Sequence, residues 1–268
     1  TLSENSVTLS VDTPDGPKTI TGDWLIGADG GRSVVRKSAD IDFEGFTWPE
    51  RFIIVSTYYD FEEAAGYRYR NYVAHPEQWC AMIKVPGEHS EGIWRALFPA
   101  FGDAPDEHVL SDEWIQARFA ECYPYDPPYD LVHRNLYSVH QRVAASFAKG
   151  RVALAGDAAH VNNPLGGMGM NSGIHDGLNL AKKLEEAWHG GGHEVLLARY
   201  DRQRRPMAEK YVQAQSIANK RTLQENDPEA RERRLKELAD TRNDKALNRA
   251  YLLRASLVQM VQEADAIE

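Results

Sequence analysis

Apolar and polar positions alternate through "VTLSVDTPDGPKTITGDWLIG", and the alternation breaks at Thr13-Pro14-Asp15-Gly16. Period-two patterning around turn residues predicts a hairpin within residues 1–26. The same signal recurs in "RFIIVSTYY" (51–59), "YRYRNYVAH" (67–75), "WCAMIKV" (79–85), "GIWRALFPA" (92–100) and "LVHRNLYSVHQRVA" (131–144). These runs are rich in β-branched and aromatic residues, with turns at His75-Pro76 and Pro86-Gly87, and they predict an antiparallel sheet. Between the last two runs the period changes to that of a helix. Ser111 caps it, Glu113 lies in its first turn, and Trp114, Ile115 and Phe119 form its apolar side up to Cys122. Residues 124–130, "PYDPPYD", read as a proline-rich connector.

Two stretches fit a different unit, a short apolar strand running through glycines into a helix. "WLIGADGGRSVVRK" (24–37) is the first. The second is "GRVALAGDAAHVNNPLGGMGMNSGIHDG", in which Val152–Ala155 is continuously apolar, as in a strand covered on both faces. The helix that follows is predicted to bury Ile174, Leu178, Ala181, Leu184 or Glu185, and Trp188, and to stop at Gly190-Gly191-Gly192. Residues 194–225 read as helical with an interruption at Pro206. Asp227-Pro228-Glu229 opens a charged helical tail whose Leu247, Tyr251, Leu257 and Val261 are expected to face inward.

The net charge of −9 argues against a nucleic-acid surface, which needs clustered Lys and Arg. No apolar run approaches the about 18 residues of a membrane span, and the first residues are not expected to act as a leader, since they lack a basic-then-apolar pattern. Cys80 and Cys122 provide neither a disulfide framework nor a metal spacing, so they read as buried thiols in a reducing cytoplasm.

Glycine permits positive φ and close approach of a ligand to the backbone, and the N–H groups of a helix start favour negative charge. Gly166 to Asn171 therefore reads as a cradle for an anionic or polarised oxygen, with Asp157 at the strand end able to accept hydrogen bonds from hydroxyls. A tight turn whose glycines serve packing is the simpler alternative. A dinucleotide fingerprint fits poorly, because Gly167 and Gly169 match but Ser172 stands at the third position. Asp157, His160, His175 and Asp176 could suggest a metal site, but their spacing reads as chance and no metal is expected.

"RVALAGDAAHVNNPLGGMGMNSGIHDGLNLAKKL" closely resembles the GD-containing FAD motif of flavin-dependent aromatic hydroxylases, the single-component monooxygenases of the para-hydroxybenzoate hydroxylase type. "WLIGADGGRSVVRK" resembles that family's DG motif. The resemblance implies an α/β fold, α+β in this stretch of chain. It would comprise part of a glutathione-reductase-like FAD domain, an antiparallel-sheet substrate domain and C-terminal helices. The corresponding division is 1–44 and 146–215 for the FAD domain, 45–145 for the sheet and 216–268 for the helices.

It also implies FAD as cofactor, with NADH or NADPH as reductant, O2, and hydroxylation of a small phenolic substrate through a flavin C4a-hydroperoxide. Asp157 and the adjoining Gly156 would meet the ribityl chain, and Pro164 the reaction side of the ring. Gly166, Gly167, Met168, Gly169, Met170 and Asn171 would run along the isoalloxazine. Asp29 would approach the pyrophosphate and ribose, with Arg32 beside it. Substrate would lie against the sheet, for which Tyr72, Trp79, Met82 and Trp94 are candidates together with Tyr67, Tyr69 and Phe98. Alternation allows only about half of these to face it.

The family carries an N-terminal Rossmann segment with a G-x-G-x-x-G loop, so the sequence is expected to be a fragment that associates with that segment, or a homodimer. Alternative expectations are an incompetent fragment that serves only as a complementing half, and a halogenase or reductase on the same fold. The "WxWxIP" motif of halogenases is absent.

Overall fold

In a computed structural model of the chain, residues 3, 5–87, 92–124 and 128–268 are described. Residues 125–127 of the proline-rich connector lie outside them. The chain divides into two units, Thr1–Phe46 with His140–Ile217 and Asp244–Glu268, and Thr47–Val139 with Ala218–Asn243. The C-terminal region therefore does not form a body of its own, because residues 218–243 group with the sheet unit and 244–268 with the other.

The first unit opens with the expected hairpin, β1 (Val7–Thr13) and β2 (Gly16–Gly22), paired from Val7↔Gly22 to Thr13↔Gly16. Gly16 takes φ +102°, which few residues other than glycine adopt. β3 (Leu25–Gly27) leads into the short helix α1 (Val34–Ser38), and then β4 (Phe43–Thr57) leaves for the second unit.

In the second unit α2 (Phe61–Ala65) follows β4, with Asp60 accepting from the Glu62 amide at its start. β5 (Arg70–Val73), β6 (Cys80–Val85) and β7 (Ile93–Ala100) come next, then α3 (Asp106–Val109), α4 (Asp112–Cys122) and β8 (Leu131–Ala144). The strands order as β8-β4-β7-β6-β5, with registers Ile53↔Phe98, Met82↔Ala96 and Tyr72↔Ala81. Ile53, Val55, Cys80, Met82, Trp94, Ala96 and Phe98 make one buried core with Phe61, Ile115, Phe119 and Tyr129.

Back in the first unit, β9 (Ala148–Lys149) and β10 (Val152–Leu154) form a small sheet with β3, in the order β3-β10-β9. β10 is parallel to β3, with Leu154 opposite Gly27. A Cβ at Gly27 would lie 2.7 Å from the Leu154 side chain and 2.9 Å from Val35, so glycine lets strand and helix close together. All three residues of β10 are buried, as their continuous apolar run predicts. β11 (His160–Val161) pairs with the end of β8 through His160↔Val143.

α5 (Met168–Trp188) and α6 (His193–Met207) follow. Pro206 does not end α6. It removes one backbone donor, and a wider π-helical turn, Ala208–Gln213, carries the chain into α7 (Ala214–Leu223). α8 (Pro228–Asn243) starts where Asp227 accepts from the Glu229 amide at 3.0 Å, and it buries nothing. Of the tail residues expected inside, Leu257 is buried and Val261 packs on a core of Met168, Met207, Tyr211 and Met260. Leu247 and Tyr251, on α9 (Lys245–Ala255), are each 51% exposed, and the inward contacts come instead from α10 (Val258–Asp265). No described helix is long and apolar enough to cross a membrane.

Candidate functional site

Two turns leave the same ends of the parallel strands β3 and β10. In the first, the Asp29 carboxylate accepts from the Ser33 hydroxyl at 2.5 Å and from the amides of Val34 (2.7 Å) and Val35 (3.1 Å). It closes the start of α1, as a carboxylate at a helix N-terminus should. Partial burial pushes the Asp29 carboxyl up, but the Ser33 hydroxyl and the amides outweigh it and hold it below its ordinary value. Arg32 is exposed. The arginine that ties the site together is Arg36, a residue with no signal of its own in the sequence. It is buried, lies over the Phe43 ring at 3.7 Å, and donates to the carbonyls of Ala158 (2.8 Å) and Gly31 (2.9 Å). One guanidinium thus links both turns.

The second turn is Gly156–Ala158, with Gly156 at φ +62°. Asp157 sits in it, exposed, beside a cavity of about 560 Å³. The cavity is bounded by Ile26 of β3, by Ala28 and Gly30 after it, by Ala155 and Gly156, and by Gly173, Gly177 and Leu180 of α5. Small residues let it exist. A Cβ at Gly30 or Gly177 would meet nothing within 4 Å, so each leaves room that any other side chain would enter. A Cβ at Gly173 would stand 3.0 Å from the Gly156 Cα, so this glycine fixes how closely α5 approaches the turn.

Beneath Gly156 lies a buried polar network. Asp176 Oδ2 accepts from the Gly156 amide at 3.2 Å and from His160 Nε2 at 2.9 Å, while Oδ1 accepts from Arg204 Nε at 2.7 Å. The Arg204 guanidinium also reaches the Ser172 hydroxyl at 3.3 Å. Burial alone would raise the Asp176 carboxyl, but His160 and Arg204 outweigh it and hold it ionised below the usual range. Of the four residues weighed as a metal set, only His160 and Asp176 meet, and Arg204 takes the other carboxylate oxygen. Among the described residues no group of three or more His, Cys, Asp or Glu could hold a metal.

The loop to α5 is anchored at Asn163, whose amide and Nδ2 both donate to Gln141 Oε1 (3.1 and 3.2 Å) and whose Oδ1 accepts from Leu165 N at 3.1 Å. Pro164 is exposed and its carbonyl accepts from the Gly167 amide at 3.0 Å. Gly166 (φ +105°) and Gly167 (φ +66°) turn the chain into α5. A Cβ at Gly169 would meet Asn162 Oδ1 at 2.9 Å. Asn171 Nδ2 donates to the Gly167 carbonyl at 2.7 Å. No side chain caps α5 and no acidic residue lies in its first turn, so its leading amides are not taken by the protein's own carboxylates. The Met168 side chain is in the core, so only its backbone faces the loop, whereas Met170 is 75% exposed.

The face of α5 is the reverse of the expected one. Ile174 (53%), Leu178 (58%) and Trp188 (71%) are exposed, and the buried line is Met168, Ser172, Asp176, Leu180 and Lys183. Partners supplied by other elements make this possible. Lys183 donates to Asn179 Oδ1 (2.7 Å) and Gln203 Oε1 (2.6 Å), and burial pushes it down to about 8. Polar residues at core spacing, 172, 176 and 183 around Leu180, were the signal that sequence reasoning passed over.

Pleating separates the substrate candidates of the second unit. Met82 and Trp94 lie in the core closed by α4, as do Phe98 and, at its edge, Tyr67. Trp94 donates to Asp60 Oδ1 at 3.2 Å. These candidates for substrate contact are therefore core positions instead, because pleating turns them toward α4. Tyr72 and Trp79 belong to the opposite face, because Tyr72 pairs with Ala81 and Trp79 has the parity of Ala81. Tyr72 is 41% exposed, and Trp79 is fully buried against Phe52. The Trp79 indole N–H is buried without a partner. Nearby Tyr137 is pushed up to about 12 by burial. His75 accepts the amides of Glu77 and Gln78 and serves a turn.

A family model described as an FAD binding domain matches residues 3–215. A para-nitrophenol 4-monooxygenase of Pseudomonas sp. (strain WBC-3) is 33% identical over 254 residues, covering 92% of this chain and 60% of that protein. A 3-(3-hydroxy-phenyl)propionate/3-hydroxycinnamic acid hydroxylase of Mycolicibacterium smegmatis is 32% identical over 222 residues, covering 82% of this chain and 38% of that protein. The crystal structure of p-nitrophenol 4-monooxygenase from Pseudomonas putida DLL-E4 superposes with a TM-score of 0.88 at 31% identity, covering 97% of this chain and 65% of that one. The chain thus spans less than two thirds of the length of these relatives.

Proposed function

Because the chain belongs to the FAD binding domain family, we propose that it is the FAD-holding and substrate-facing part of a monooxygenase that hydroxylates a phenolic ring, using NADH or NADPH and O2. The relatives named as monooxygenases and hydroxylases of aromatic compounds support the reaction class. The observation that carries the reading is the conjunction of an exposed Asp157, a cavity kept open by glycines and an uncapped N-terminus on α5.

When bound, FAD supplies the redox and oxygen chemistry. The chain's own residues would position it. Asp157 would accept hydrogen bonds from ribityl hydroxyls, and Gly156 would let the chain pass close to the backbone. The leading amides of α5 would face the flavin edge that gains negative charge on reduction. A helix N-terminus stabilises an anion by about 0.3–1 kcal/mol, and by up to ~2 kcal/mol when partly buried. Exposed Pro164 and Met170 would border the ring. Asp29 already closes α1, so any contact of this turn with the pyrophosphate would come from its backbone and from Arg32. In the sheet unit, Trp79 is the donor best suited to a substrate oxygen, since its buried N–H has no protein partner.

Asp157→Ala in the purified protein tests the assignment. The exposed side chain makes folding insensitive to the change, so melting of the flavin-free protein should be unaltered while bound FAD, read by its absorbance, falls at least tenfold. Unchanged flavin content would reject the role.

A further inference from the structure

Cys80, at the start of β6, and Cys122, the last residue of α4, bring their sulfurs to 2.8 Å. This is inside ordinary van der Waals contact for two sulfur atoms, and both residues are free thiols. The sequence separates them by 42 positions, so only the fold makes them a pair. Both backbones are held in place. Cys80 is in register with Val73 of β5, and the Cys122 carbonyl accepts from the Tyr67 hydroxyl at 3.3 Å. Their exposure differs, with Cys80 sealed in the aromatic core and Cys122 half-buried at the helix end. A metal would need further ligands, and no group of three His, Cys, Asp or Glu is found among the described residues.

We propose that Cys80 and Cys122 form a dithiol that hydrogen peroxide converts to a reversible disulfide, covalently tying the end of α4 to β6. The chemistry balances in two steps. The half-buried Cys122 sulfur attacks one peroxide oxygen, the O–O bond breaks, and a sulfenic acid and one water result. The Cys80 sulfur then attacks the sulfenic sulfur, the S–O bond breaks, and a second water leaves with the Cys80 proton. Two thiols lose two electrons and two protons in all, and one peroxide becomes two waters. The neighbouring Cys122 and burial raise the Cys80 thiol, so Cys122 is the sulfur that meets peroxide first. A dithiol such as dithiothreitol reverses the reaction by exchange. The inference is independent of the flavin assignment.

The test starts from reduced, desalted protein exposed to graded hydrogen peroxide, then quenched with N-ethylmaleimide in denaturant. Intact mass and peptide mapping follow. Both maleimide adducts should disappear together, leaving a linked Cys80–Cys122 peptide in a monomer lighter than the reduced chain by about 2 Da, the two hydrogens lost. Dithiothreitol should restore both adducts, and the oxidised form should melt higher than the reduced one. Under the same dose Cys122→Ser should keep the Cys80 adduct, and Cys80→Ala should oxidise at Cys122 without an intrachain link. Because the wild-type mapping needs no substitution, it decides the matter even if a variant folds poorly. Retention of both adducts, oxidation of a single sulfur, or linkage between chains would overturn the proposal.

Discussion

Asp176 has no exposed surface and three donors, Gly156 N, His160 Nε2 and Arg204 Nε. A buried charge is tolerable only when paired and hydrogen-bonded, and here the pairing also fixes the turn that carries Asp157. Asp176→Asn should leave Arg204 short of its counter-charge and cost about 3–5 kcal/mol, read by urea unfolding. The sign with pH follows from the lowered carboxyl. The wild type's advantage over Asp176→Asn should be complete above about pH 4, the ordinary carboxylate value, and shrink as pH falls through the lower native value. An advantage that persists undiminished into strong acid would contradict this assignment. Sequence patterning could not reveal the network. Arg204 lies on a separate helix, and a lone aspartate in an amphipathic stretch looks solvated until its partners are placed.

At the level of elements, α5 carries the sharpest contrast between pattern and fold. Its limits were legible: Gly166 and Gly167 before it and the glycines after Trp188 mark both ends. The hairpin, most of the sheet and the Ser111-capped α4 were legible for the same reason, since local turn and cap chemistry decides them. The face of α5 was not, because its apolar stripe 174, 178, 188 stays exposed while a polar line is satisfied from α6. α2, a single turn capped by Asp60, was too short to show a period. The two glycines of α5 separate packing from space. Gly173→Ala should push α5 from Gly156 and lower stability, because the contact at 3.0 Å is with backbone. Gly177→Ala adds a methyl to open space and should stabilise the helix by up to about 1 kcal/mol. Equal melting temperatures for the two variants would refute the distinction.

At the scale of the whole molecule, each unit keeps its own core and its own buried charges. In the sheet unit Lys220, near the end of α7, pairs with Glu50, lies 3.9 Å from the Trp48 ring centroid and donates to Gln224; Lys220 and Glu50 are each 3% exposed. Lys220→Met should destabilise by about 3–5 kcal/mol, since it strands a carboxylate, and Glu50→Met added to it should recover most of the loss. Thermal melts of the single and double variants check this, and a double variant no better than the single would argue against it. The proposed flavin site belongs to the other unit, where two strand ends, linked by Arg36, leave a cavity beside an uncapped helix. The most direct measurement is a crystal structure of the protein with FAD added. The expected result places the flavin along Gly166–Asn171, its N1–C2=O edge toward the first amides of α5 and its ribityl hydroxyls on Asp157. Flavin density away from both, or the cavity closed by side chains, would contradict it.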